Sequence, residues 1–327
     1  MRLLDYMNDF DRRLVFPWMN TIGLRLTGYE LYDVYNSTEK QMVVAKAMDE
    51  NFQSDFIYPL DDGAVLKDTL QSISGYEFPI KLKGATKFAE ILSKLTVPDP
   101  YKDGRMPINL ATFKLLAESF NKPLAISVQG PFTLACEIIE VTDFIRAVIR
   151  KPDFVKQLLD FTTEVVSEYC QAVTKAGVRL LCISEPTAIL LSPPKFEELV
   201  SVRLKRIFDA LEPDAWRVLH VCGDTTKHMN QLLASGAEGL SLDQIVQLKE
   251  IAPKIPKDVV IIGNLDPVDV LADSTPAQIR EKTLELLRYM KDYPNFLVSF
   301  GCDCLPDTPI ENLKAAMETG RTKFTDF

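Results

Sequence analysis

The sequence predicts an α/β protein of the (β/α)8 barrel class, and three observations carry that reading. Eight short apolar or β-branched runs recur along 327 residues, most of them followed by a turn and an amphipathic helical stretch. Polar and metal-capable side chains gather just after the ends of those runs, where a barrel places its active site. No Gly-rich phosphate fingerprint follows the first run, which argues against the alternative, a doubly wound sheet that binds a dinucleotide.

The expected strands are "LVFPWM" (14–19), "DFIYPL" (55–60), "LAISV" (124–128), "RLLCIS" (179–184), "RVLHV" (217–221), "EGLSL" (238–242), "DVVII" (258–262) and "FLVSF" (296–300). Among the helices, "KPDFVKQLLDFTTEVVSEYCQAVTKAG" repeats apolar residues at helical spacing and stops at Gly177. "SPPKFEELVSVRLKRIFDAL" reads as one helix, with Ser192 as N-cap and prolines in the first turn, where a missing N–H costs little. "TPIENLKAAMETG" has Thr308 and Glu311 at capping-box spacing and ends at Gly320. Residues 64–123 are too long for one crossover and contain "TVPDPYKDGRMP", so they read as an excursion between the second and third strands. No repeat or linker divides the chain, and residues 1–327 are expected to form one barrel domain.

Composition narrows the function. Apolar residues make up 46% and charged residues 25%, as in soluble globular proteins. Apolar runs such as "VVIIG" fall far short of the roughly 20 residues a membrane span needs. The N-terminus carries acids among its apolar residues and lacks a signal-peptide pattern, so a cytoplasmic location is the expectation. A net charge of −9 argues against nucleic acid as partner. Six cysteines in apolar surroundings point to reduced thiols, buried or metal-bound, and not to a disulfide framework.

The residues after the strand ends are Asn20; Asp61 and Asp62; Gln129 and Gly130; Glu185; His220 and Cys222; Asp243; Asn264 and Asp266; Cys302 and Cys304. His220 and Cys222, in "RVLHVCGDTTKHM", are two apart and face the same side of an extended strand end. With a thiolate from "LVSFGCDCLPDTP" they make one imidazole and two sulfurs, a zinc shell that leaves a fourth position open. The bland reading is that these are core cysteines, which are among the most buried of residues. If Cys302 and Cys304 both bind, the site is closed and structural; if one does, it is reactive. His228 is expected to be an exposed side chain on the following helix.

"HVCGDTT", "GNLDPVDVL", "SVQGPFTLA", "SEPTAILLSPPKFEELV" and "SFGCDCLPDTP", in that family's order along the chain, resemble the uroporphyrinogen decarboxylase superfamily. Within it they are most similar to the corrinoid-dependent, zinc-containing methyltransferases. The resemblance spans about residues 14–325 and implies a (β/α)8 barrel. The methyltransferase pattern of H-x-C plus a later cysteine after glycine maps onto His220, Cys222 and Cys302 as zinc ligands, with Cys304 outside it. True decarboxylases carry an arginine-rich loop after the first strand, where this chain reads "FPWMNTIGLRLTGYELY" with only Arg25 nearby, and Asp55 is matched to the decarboxylase aspartate or is a strand-start residue.

The resemblance implies zinc-dependent methyl transfer between a small substrate and a corrinoid supplied by a separate small corrinoid-binding protein. Either methylcobalamin gives its methyl to a thiol such as coenzyme M, or a methoxylated or related donor gives its methyl to Co(I). The stretch "GLRLTGYELYDVYNSTEKQ" leans toward the second direction. Uroporphyrinogen decarboxylation is the alternative activity. A non-catalytic zinc barrel that carries a corrinoid is a third reading, disfavoured because the chain has no D-x-H-x-x-G. Glu185 and Asp243 are the catalytic candidates, Asp243 also as a partner of His220 or a fourth ligand. Asn20, Asp61, Asp62 and Gln129 are candidates for substrate binding, and Asn264 and Asp266 for cofactor contact. Each of these has a structural reading beside it, as a helix cap, a tight turn or a support for another side chain.

Overall fold

The structure is a computed structural model that describes residues 1–82 and 88–326. Six parallel strands follow one another in chain order across one sheet: β1 (Ala125–Gln129), β2 (Leu180–Ser184), β3 (Trp216–Val221), β4 (Gly239–Leu242), β5 (Val260–Leu265) and β6 (Phe296–Phe300). Parallel neighbours need crossovers, and the intervening chain supplies them as helices, among them Pro152–Lys175 and Pro276–Tyr289.

The first two expected strands close this sheet into a ring, but as short bridged segments. The Phe16 N–H donates to Val298 O at 2.9 Å and the Val298 N–H to Leu14 O at 3.0 Å, which seats residues 14–16 on β6. On the other side, the Asp55 N–H donates to Val15 O at 3.1 Å. Ile57 then joins β1, its N–H bonding Pro123 O and its carbonyl receiving the Ala125 N–H at 2.8 Å. Both runs were expected to be full strands. Pro17 and Pro59 interrupt them, each deleting a ladder donor, and the pairing reduces to the single bridges Val15–Val298 and Ile57–Leu124.

Strand parity then sorts the side chains. Leu14, Phe16, Phe56, Tyr58, Leu180, Cys182, Trp216, Val218, Val260, Ile262 and Leu297 alternate along their segments and form one buried cluster that fills the ring. Burying each of the large ones contributes about 2–3 kcal/mol. The same parity, carried toward the C-terminal ends, meets Ser127, Ser184, His220, Ser241 and Ser299. The barrel is therefore apolar at its base and polar at its mouth.

The entry end is fastened by charge. Arg12 grips Asp55 with two hydrogen bonds of 2.9 and 2.7 Å, Arg321 bonds the same carboxylate, and the Val15 N–H donates to it at 2.8 Å. Asp55 thus lies at the start of its segment, at the far end from His220, and serves the strand-start reading; Asp61 is the carboxylate that reaches the mouth.

Two helix expectations change. The stretch after Ser192 is not one regular helix: Pro193–Phe196 passes through a π turn, Glu197–Ser201, before Val202–Asp209 resumes α geometry. The last helix runs from Ile310 to Gly320 behind Pro309, and the Thr308 hydroxyl is buried with no partner among the described residues, so no capping box forms. Residues 64–123 hold the helices Val65–Ser74, Phe88–Lys94 and Met106–Ser119. No helix among the described residues is long and apolar enough to cross a membrane.

Candidate metal centre at the barrel mouth

β3 ends in His220-Val221-Cys222, and its extended backbone turns the imidazole and the thiol the same way. The His220 Nε2 lies 3.2 Å from the Cys222 Sγ, and that sulfur lies 3.8 Å from the Cys302 Sγ, which arrives just after β6. The three ligand atoms all fall within 4.8 Å of one another. One imidazole and two thiols at that separation are the donor set of a zinc site with an open position.

Electrostatics favour a ligand state. Hydrogen bonds from Cys222 and His220 hold the Cys302 thiol well below its ordinary range, whereas the same bond and burial push Cys222 up. Cysteine binds a metal as its thiolate, so loading this site would release thiol protons. Cys304 stands apart: it is buried, its N–H is bonded to Trp18 O at 3.1 Å, and burial raises its thiol further. It is not among the three clustered donors.

The glycine before Cys302 has a steric cause. A Cβ on Gly301 would sit 2.3 Å from the Gln244 backbone nitrogen, so only glycine lets the β6 end lie against the loop after β4. From that loop Asp243 reaches across, accepting the Gly223 N–H at 2.7 Å and the Ile245 N–H at 3.0 Å. Asp243 thus fixes the backbone that follows Cys222; it does not bond His220. The partner of His220 Nδ1 is the Ser241 hydroxyl at 3.0 Å, which also accepts the Trp18 indole N–H at 3.1 Å.

Other sequence-singled residues fall into three groups. Near Cys302, the Asn20 N–H donates to Asp303 at 2.9 Å and the Asn20 amide oxygen accepts the Asp61 N–H at 2.6 Å. Burial, then the neighbouring Asp303 and Asp62 charges, push the Asp61 carboxyl well up; burial, then the Cys302 thiolate, raise Asp303 to about 6. Asp62, by contrast, is consumed by Arg105 in a two-bond pair, both at 2.9 Å, which ties this segment to the helix starting at Met106. Gln129 donates to Glu137 at 2.8 Å, and its amide oxygen is buried with no partner among the described residues.

Asn264 and Asp266 are engaged in their own loops. The Asn264 amide donates to the Asp243 and Val246 carbonyls, and Asp266 accepts the N–H groups of Val268 and Asp269 at the start of the next helical turn. His228 is a correction: it is buried, with its Nε2 2.9 Å from Leu191 O, because the short turn Thr226–His228 packs it beneath Phe196.

Glu185 is fully buried at the start of the helix Pro131–Ile138. It accepts the Phe132 N–H at 2.9 Å, the Thr133 N–H at 2.8 Å and the Thr133 hydroxyl at 2.7 Å. Both oxygens are occupied, so proton-transfer work would first require breaking these bonds. A Cβ on Gly130 would meet this carboxylate at 2.3 Å. Burial raises Glu185 to about 7 against the three donors that oppose it. A carboxyl raised above its unfolded value stabilises fully below about 4.5, and that contribution is lost as pH rises through about 7. Urea unfolding of wild type and Glu185→Gln from pH 5 to 8 should show the wild-type advantage shrinking by about 2–3 kcal/mol; a difference that stays flat with pH would refute the raised value.

Sequence reasoning missed Ser241, Trp18 and Asp303. The first two carried a signal, since strand alternation puts Trp18 in step with Leu14 and Phe16, and Ser241 in step with Gly239. Asp303 lies between two cysteines that drew the attention.

Comparison with known proteins adds identity to this geometry. The family model described as uroporphyrinogen decarboxylase (URO-D) matches residues 31–322. A methylcobamide:CoM methyltransferase, MtbA of Methanosarcina acetivorans, is 32% identical over 248 residues, covering 74% of this chain and 71% of that protein. A uroporphyrinogen decarboxylase of Prochlorococcus marinus is 26% identical over 71% of this chain and 68% of its own. A solved methyltransferase from Methanosarcina mazei superposes with a TM-score of 0.84 at 24% identity, over 97% of this chain and 96% of that one, a likeness of fold.

Proposed function

Because the chain belongs to the uroporphyrinogen decarboxylase family, we propose that it is a corrinoid-dependent methyltransferase that uses zinc to pass a methyl group from a methylated corrinoid to a small thiol. The observation that carries this is the convergence of His220, Cys222 and Cys302 within 4.8 Å at the C-terminal end of the barrel. Nitrogen and sulfur donors of this kind suit zinc, and three protein ligands leave one position for a substrate. When bound, the metal would stabilise the substrate thiol as its thiolate, the form that attacks a methyl carbon.

The chain's own residues supply the setting. His220 and the two cysteines would hold the metal, Asp243 pins the backbone after Cys222, and Gly301 admits Cys302 to its place. Asn20, Asp61 and Gln129 are the polar groups at the mouth available to orient the substrate. The thiol direction is supported by the name of the relative at 32% identity, which counts against the lean toward methoxylated donors in residues 23–41. A separate small corrinoid-binding protein is the partner expected to bring the corrinoid to the mouth. Against decarboxylation of a porphyrinogen stand the two cysteines in the cluster and the segment after the first strand, where Arg25 is the one arginine available to a guest with many carboxylates.

The test is to measure zinc per chain and the loss of methylcobalamin absorbance with coenzyme M and other small thiols, beside uroporphyrinogen as a substrate. About one zinc per chain and thiol-dependent demethylation abolished by chelation are expected. Carboxyl loss from uroporphyrinogen by metal-free protein, with no demethylation, would overturn the proposal.

A further inference from the structure

We infer that Ser241 is a positioning residue for His220, a hydroxyl that supports the imidazole in both of its neutral tautomers and so lets the site load metal without moving its backbone. The inference rests on the zinc reading above. Its grounds are geometric. The Ser241 Oγ is 3.0 Å from His220 Nδ1, deep in the mouth, with Ser241 only 1% and His220 only 5% exposed. The opposite ring nitrogen, Nε2, faces the Cys222 sulfur at 3.2 Å.

Without metal, Nε2 carries the proton and donates toward sulfur, which leaves Nδ1 as an acceptor; the Ser241 O–H donates to it. With metal, the Nε2 lone pair is the ligand, so Nδ1 carries the proton; the Ser241 oxygen now accepts it. A hydroxyl does both by rotating about its C–O bond, whereas a carboxylate or a carbonyl can only accept and would enforce the second state. The proton balance closes: the ring keeps one proton throughout, moved from Nε2 to Nδ1 through exchange with solvent.

Trp18 orients the hydroxyl. An indole N–H can only donate, and it occupies one lone pair of the Ser241 oxygen at 3.1 Å, leaving the other lone pair and the O–H for His220. The Trp18 ring also lies 5.5 Å from the imidazole, and its carbonyl accepts the Cys304 N–H two residues beyond Cys302. One residue of the ring-closing segment thus braces the support of the imidazole and the loop that carries the later thiol.

The chain has only two histidines, so nitrogen-15 NMR of histidine-labelled protein resolves His220 directly. In wild type, long-range proton–nitrogen correlations should show the Nε2–H tautomer without metal and the Nδ1–H tautomer after one equivalent of zinc. Ser241→Ala should weaken zinc, measured by competition with a chromophoric chelator, about 10- to 100-fold, while Ser241→Thr, which keeps the hydroxyl, should restore near-wild-type affinity. An Nδ1–H tautomer already present without metal, or a Ser241→Ala affinity equal to wild type, would overturn the inference alone. Wild type that binds no zinc would overturn the zinc reading and this inference with it. The wild-type spectra need no variant to fold.

Discussion

Cys302→Ala is expected to drop the zinc content from about one per chain to near zero and to slow methyl transfer by about three orders of magnitude or more. Losing one of three ligands leaves a two-donor site, too weak to retain metal through purification, and Lewis-acid stabilisation worth several kcal/mol goes with it. Cys304→Ala is the matched control. That thiol is buried, its loop is held by Trp18 O through the backbone, and it stands outside the cluster of donors, so zinc should remain. Plasma mass spectrometry of untagged wild type and both variants decides the matter. Zinc retained by Cys302→Ala and lost from Cys304→Ala would mean that the wrong thiol has been assigned.

The second large effect is on stability, at the opposite end of the barrel. Asp55 is 7% exposed and answers two arginines and a backbone N–H. Asp55→Ala strands the Arg12 and Arg321 charges in a half-buried setting and leaves the Val15 N–H unpaired at the closure of the ring. A loss of about 3–5 kcal/mol is expected, read as a fall in the urea midpoint with little change in slope. A loss below about 1 kcal/mol would show that water replaces the carboxylate there, as it does for exposed ion pairs.

The barrel was legible because its signal is periodic and repeated. β1 to β6 each fall on an expected run, and the alternation that fills the ring is visible in the letters of "WRVLH" or "LLCIS". The two closing segments were legible as strands and wrong in extent, since Pro17 and Pro59 sit mid-run and a proline's cost depends on which neighbour needs its missing donor. His220, Cys222 and Cys302 stood out by residue type, and their convergence followed once both stretches were placed at strand ends. Ser241 and Trp18 were not legible as a pair. A serine and a tryptophan 223 positions apart declare no relation until the ring closes and brings indole, hydroxyl and imidazole into line. Glu185 and Asp62 illustrate the converse: acids at strand ends look poised for chemistry, yet helix N–H groups and an arginine had already engaged them.

The seam of the ring has a consequence for how the molecule comes into being. On this side of the seam the Leu14 carbonyl and the Phe16 N–H find their hydrogen-bond partner in Val298, near the other end of the chain. The donors of the candidate metal centre are divided by β6, His220 and Cys222 before it and Cys302 just after it. During synthesis the first segment must therefore wait for almost the whole protein to be made, and contacts of such long sequence separation form slowly. A nascent chain cut anywhere before residue 296 has neither a closed wall nor a complete set of donors, so barrel and metal centre become available in the same late step.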